Sequence, residues 1–291
     1  MRSPPSNSAN GSETVHPQVA AATGHPQVAA ATGHPQVAAA TVPLIAVAHG
    51  SRDPRSARVV TAAVAAIRAR HPELDVRVCF LDLTAPSVDQ VLDAVAAEGH
   101  STAVVVPLLL GSAYHARVDL PGILAAARAR HPQLSVFPSD VLGHDPRLVA
   151  AVRERIVAAG IATDDAETGV VLAAVGSSDP SANDRTRALA AVLSEGTGWG
   201  VETCFVTSAE PTVGQAITRL RSRGAGRIAI APWFLAPGRL TDRLGRAALE
   251  VAPDAVFADT IGAHPSVAEV ALDRYASGRA QTFQTQAKRS A

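Results

Sequence analysis

The chain has 291 residues, 47% of them hydrophobic, and its 26 basic residues are matched by 26 acidic ones. That length and apolar content suit two domains with sizeable cores, and the charge balance excludes a global field that would hold the chain on nucleic acid or an anionic membrane. Two cysteines, Cys79 and Cys204, are too few for a disulfide framework or a cysteine-built zinc site, and no apolar run approaches the roughly 18 residues of a membrane-spanning helix.

The N-terminus has no apolar stretch of the kind a secretion signal needs, so the expected location is cytoplasmic, with both cysteines as buried free thiols. Residues 1–41 contain HPQVAAATG from His16 and His25 and HPQVAAAT from His34, a short tandem repeat. This segment has too little bulky apolar surface to offset its ordering entropy and reads as a disordered leader. Its three histidines could collect a divalent metal, but duplication alone accounts for them.

From Val42 onward, short Val/Ile/Leu runs alternate with Ala-rich segments of helical period, the βα pattern of a parallel sheet. Pro43 to Ala48 is the first strand. Asp53 then offers an N-cap and Pro54 a first-turn residue to a helix with Val60, Ala63, Val64 and Ile67 on its apolar face. Val76 to Leu81 is the second strand, followed by a helix from about Pro86 with Val88, Val91, Leu92 and Val95 at core spacing. Thr102 to Leu110 is the third strand, with a helix over Leu120 to Ala129. Leu134 to Pro138 is the fourth, with a helix after Asp145 and Pro146. The first lobe is expected over 42–160, and the polar stretch 161–168 reads as a linker.

The cycle then repeats. LAAVGSSDPSAN from Leu172 parallels AVAHGSRDPRSA, ETCFVTSAEPTV from Glu202 parallels RVCFLDLTAPSV, and IAIAPWFLAPGRL from Ile228 parallels VVVPLLLGSAYH, at an offset of 125 or 126 residues; even Cys79 and Cys204 align. VLGHDPRLVAAV from Val141 has a looser counterpart in TIGAHPSVAEVA from Thr260. The expected architecture is α/β: two duplicated flavodoxin-like lobes, each a four-stranded parallel sheet flanked by helices in strand order 2-1-3-4, related by a pseudo-twofold axis. The second lobe is expected over 169–277, with a flexible tail from 278 to 291.

Residues that both halves keep serve the shared fold, whereas those that differ mark divided labour. Gly50 and Gly176, Ser51 and Ser177, Asp53 and Asp179, and Pro54 and Pro180 match, but His49 corresponds to Val175 and His115 to Leu240. In the expected strand order His49 ends strand one and His115 follows strand three, so both would face the crevice at the switch point, where open parallel sheets bind ligands. Neutral imidazoles there could share one divalent ion and, with a pKa near 6.5 as an ordinary value, accept protons near neutrality. His71 and His131 sit at helix ends, where a cation suits the dipole, and His144 and His264 read as turn or surface groups. Arg52, Arg55, Arg117, Arg239 and Arg243 gather near the proposed mouth, where planar guanidinium forks suit a polycarboxylate.

LIAVAHGSRDPRS together with VVVPLLLGSAYHARVDLP resembles the paired signature segments of the sirohydrochlorin chelatase family of the CbiX and SirB type, in its long two-domain form, and the likeness runs from about Val42 to Ala276. The resemblance implies a class II chelatase-like lyase that inserts Fe2+ or Co2+ into sirohydrochlorin without ATP, in sirohaem or cobalamin synthesis. It places the metal-contacting histidines on His49 and His115, and the aspartate and proline after the second on Asp119 and Pro121. It also implies a tetrapyrrole substrate, no tightly bound cofactor beyond the metal as substrate, no nucleic-acid or membrane partner, and a monomer whose lobes mimic a dimer. The second half lacks both histidines, so one centre is expected in the first lobe, with the second lobe closing the cleft. Ser51, Arg52, Tyr114, Arg117, Trp233 and Arg239 are the expected substrate contacts, Tyr114 and Trp233 by stacking on the macrocycle.

Two other readings remain open at this level. A carrier of metal or tetrapyrrole would need the same histidines without the insertion step. Histidine phosphatases also end a strand in His–Gly, but they place an arginine before the histidine, where this chain has Ala48.

Overall fold

The computed structural model describes residues 41–111, 119–207 and 210–289, with side chains through 284. Eight β and eight α elements alternate in it: β1 (Leu44–Ala48), α1 (Pro54–Arg70), β2 (Val76–Phe80), α2 (Val88–Ala97), β3 (Thr102–Pro107), α3 (Leu120–Arg130), β4 (Ser135–Pro138), α4 (Pro146–Ala158), β5 (Thr168–Ala174), α5 (Pro180–Ser194), β6 (Gly200–Phe205), α6 (Val213–Ser222), β7 (Arg227–Pro232), α7 (Arg239–Val251), β8 (Val256–Phe257) and α8 (Pro265–Arg289). The strands form two parallel four-stranded sheets, β2-β1-β3-β4 and β6-β5-β7-β8.

Local chemistry sets the boundaries. Asp53, Asp145 and Asp179 each accept a backbone N–H two residues on, with proline following directly, so α1, α4 and α5 start alike. Ser87 with Gln90 and Thr212 with Gln215 close reciprocal capping boxes on α2 and α6, which begins α2 at Val88 rather than Pro86. His71 and His131 stand at the C-caps of α1 and α3, as the sequence indicates.

Strand alternation divides the core into three. Ile45, Val47 and Val105 face outward against α2 and α3, and Val171, Ala173 and Ile230 face α6 and α7. Leu44, Ala46, Val104 and Val106 face inward, as do Val170, Leu172, Ala229 and Ala231 of the other sheet. With α1, α4, α5 and α8 these inner residues form one continuous cluster shared by both sheets.

The helices that follow the last strand of each sheet are exchanged. α4 follows β4 yet packs on β7, and α8 follows β8 yet packs on β3. Arg155 of α4 donates to the Ile261 carbonyl at 2.9 Å, and Arg274 of α8 donates to the Leu142 carbonyl at 3.2 Å. Residues 142 and 155 recur as 261 and 274, so these contacts are reciprocal, as across a twofold axis. The sequence reading of α4 as part of the first lobe is therefore corrected: periodicity gives a helix its apolar face but not the sheet that covers it. The expected tail from 278 is corrected too. The helix runs on to Arg289, Gly278 lies against Val104, and Thr282 is buried.

The duplication also shows in a reversed ion pair. Arg77 on β2 bonds Glu98 after α2, while Glu202 on β6 bonds Arg223 after α6. The positions are equivalent and the charges are exchanged.

Candidate active site

β1 is buried along its whole length, and His49, the residue after it, is the first to be exposed. The pairing of β1 with β2 continues past both strands: Leu81 N–H donates to the Ala48 carbonyl at 2.9 Å and Asp82 N–H to the His49 carbonyl at 3.0 Å. Ser51 N–H donates to Thr84 Oγ1 at 3.0 Å, and that hydroxyl donates back to the Ser51 carbonyl at 3.0 Å. The turns after β1 and β2 are thereby stapled side by side. Gly50, at φ 91°, makes the approach possible.

Across β1, Leu108 N–H donates to the Val47 carbonyl at 2.7 Å, so the chain leaving β3 starts beside the same strand end and leads towards 112–118. That segment carries Tyr114, His115 and Arg117, which lie outside the described residues. Asp82, His49 and Leu108 are thus set at the carboxyl end of one sheet in the order β2, β1, β3. This is the switch-point crevice where parallel sheets present ligands.

Asp82 is a candidate that the sequence reading does not single out. It is exposed beside His49, and one carboxylate oxygen accepts the Leu83 N–H at 2.7 Å. Imidazole and carboxylate are each possible ligands of a divalent transition metal, and the two residues end adjacent strands. The signal was available in the duplication, because the equivalent of Asp82 is Thr207. In the second sheet the backbone scaffold is the same: Val206 bonds Ala174, Thr207 bonds Val175, and Trp233 bonds Ala173. The donor side chains are gone, and the Thr207 hydroxyl turns back onto the Val175 carbonyl at 2.6 Å.

The other expected contacts divide. Arg52 and Arg239 are exposed near the mouth, and neither forms a salt bridge among the described residues. The Ser51 hydroxyl accepts the Asp53 N–H at 3.0 Å and so helps to shape the turn. Arg55 is occupied: it grips Asp53 and, from the other sheet's α7, Asp242, with Nη2 at 2.6 Å from an oxygen of each. The Arg55 guanidinium holds the Asp53 carboxyl down at about 2. Trp233 is a correction. It is 4% exposed within the shared core, with its ring centroid 6.1 Å from that of His144, so no ring face is left for stacking on a macrocycle. Its place in an apolar strand end marked it as core as readily as site.

His144, read as a turn or surface group, is half-buried against that tryptophan, and burial pushes its pKa down. His264 bonds Glu154 at 3.0 Å. A further cluster of possible ligands, Asp75, Glu98 and His100, lies at the opposite, amino end of the sheet. Arg77 occupies both carboxylates, at 2.7 and 2.5 Å, which makes the group an ion-pair network. Cys79 and Cys204 are buried with their thiols pushed up to about 12, so neither supplies a thiolate.

Compared with known families, the chain matches CbiX twice, over residues 43–159 and 169–278. It belongs to the CbiX family. The two CbiX matches coincide with the two sheets, including the one that lacks the donor side chains. Among relatives, a sirohydrochlorin ferrochelatase of Priestia megaterium is 29% identical over 231 residues, covering 77% of this chain and 85% of that protein. A sirohydrochlorin cobaltochelatase of the same organism is 29% identical over 205 residues, covering 68% of this chain and 65% of that protein. Among solved structures, SirB from Bacillus subtilis with Fe3+ superposes with a TM-score of 0.72 at 26% identity, covering 84% of this chain and 98% of that one.

Proposed function

We infer that this CbiX-family protein is a sirohydrochlorin chelatase, a lyase that inserts a divalent metal into sirohydrochlorin without ATP. The observation that carries the reading is the match to CbiX over both halves of the chain, with His49 at the strand end of the half that keeps its donor side chains. Fe2+ is our first assignment for the metal and Co2+ the second. Imidazole and carboxylate donors serve both, and of the two Priestia megaterium relatives the one matched over more of its length is named for iron.

The reaction exchanges one M2+ for two pyrrole N–H protons, so the site must present the metal to one face of the ring and take up both protons. We assign His49 and His115 as metal ligands and proton acceptors, with Asp82 beside His49 as a third donor. Arg52, Arg117 and Arg239 meet the carboxylates of the macrocycle, to which planar guanidinium forks are matched. Two fused halves supply in one chain what two copies would supply in a dimer, and we assign the monomer as the active form.

Anaerobic mixing of the protein with sirohydrochlorin and Fe2+ or Co2+, followed by absorbance, tests the reading. A chelatase metallates faster than the protein-free control, whereas a carrier leaves that rate unchanged.

A further inference from the structure

We propose that Leu83 is an apolar substrate contact that seats the macrocycle beside His49. Leu83 is the only non-glycine residue with positive φ among the described residues, at 61°. For a residue with a Cβ this region is disfavoured, and such strain persists only where the surroundings impose it, often at functional sites.

The surroundings here are the staples of the crevice. Asp82, one residue before, bonds the His49 carbonyl and accepts the Leu83 N–H, while Thr84, one residue after, is bonded reciprocally to Ser51. The side chain held this way is 50% exposed. Among the described residues, the other exposed large apolar side chains lie on helices or on β8, apart from Val175, which takes the place of His49 in the second half. An isobutyl group fixed into water at the end of β2, in a backbone conformation that disfavours it, is suited to an apolar ligand surface. The flat face of a tetrapyrrole, whose charges lie at its rim, offers one.

The inference rests on sirohydrochlorin binding at this crevice, and metal-free binding separates it from the insertion reading. Titrating sirohydrochlorin into the full-length protein gives the Kd for the parental chain and for Leu83→Gly, Leu83→Asn and Leu83→Met. Gly and Asn both accept the backbone conformation, so those variants fold with an unchanged or raised Tm and bind about tenfold more weakly, whereas Met restores binding. Parental affinity in Leu83→Gly and Leu83→Asn would overturn the proposal, as would a Met variant as weak as Asn. Failure of the parental chain to insert metal while it binds sirohydrochlorin would refute the insertion reading and leave Leu83 supported or refuted by its own titration.

Discussion

A Cβ atom added to Gly50 would stand 1.7 Å from the carbonyl oxygen of Asp82. The turns carrying His49 and Asp82 are therefore in contact only because residue 50 has no side chain. Gly50→Ala must push them apart and also place alanine at φ 91°. The expected loss is at least about 3 kcal/mol of stability, together with metal insertion. Gly99 is the control: its φ is 85°, nothing lies within 4 Å of an added Cβ, and Gly99→Ala is expected to cost about 1 kcal/mol and spare activity. Urea denaturation of both variants checks the contrast.

The Asp53–Arg55–Asp242 clasp joins the start of α1, four residues after His49, to α7 of the other half. The folded pKa values of Asp53 and Asp242 lie below the ordinary 3.8, that of Asp53 at about 2. Depressed values mean that the clasp contributes fully above the unfolded value and is lost as pH falls from 3.8 towards 2. Asp242→Asn should lower Tm modestly at neutral pH and low salt. The difference from the parental chain should vanish near pH 2, and it should shrink in about 1 M salt because these groups are exposed. A difference independent of pH and salt would mean that the clasp is not electrostatic.

α8 crosses to β3 through Gly278, where an added Cβ would lie 2.7 Å from Val104 Cγ1. Gly278→Val overpacks the shared core and is expected to cost about 2 kcal/mol, read as a lower urea midpoint. Because the exchanged helices join both sheets, the unfolding transition should stay single, and separate transitions for the two halves would contradict the shared core.

Cys79 and Cys204 should both be silent to a thiol reagent in the native state at neutral pH and both react in urea. Their folded pKa is raised from 9.0 to about 12 by burial, so their contribution to stability is complete below pH 9 and declines as pH rises above it. Reaction of either thiol in the native protein would show that its strand opens.

Much of this was legible in the sequence because duplication supplied an internal alignment. The matching caps at Asp53 and Asp179 and the divergence of His49 from Val175 follow from a pattern that recurs 126 residues apart, and the alternation of strands with helices points to the strand order. The same alignment sets Asp82 against Thr207, but an aspartate in a turn ordinarily serves the turn, so that difference alone does not mark a site. Other features depend on distances that no local pattern encodes. Arg55 reads as a free rim arginine until Asp242 is placed beside it. Trp233 reads as a stacking platform until its strand end is seen closing on His144. Leu83 reads as one more apolar residue until its φ is known.

Initial rates of sirohydrochlorin metallation by His49→Ala and Val175→Ala, compared with the parental chain under anaerobic conditions, test the central claim most directly. The loss of a ligand and proton acceptor should slow the His49 variant by about a hundredfold or more, while the Val175 variant keeps its rate within a few-fold. Parental rates in His49→Ala, or an equal loss in both variants, would contradict a single metal-inserting centre in the first half of the chain.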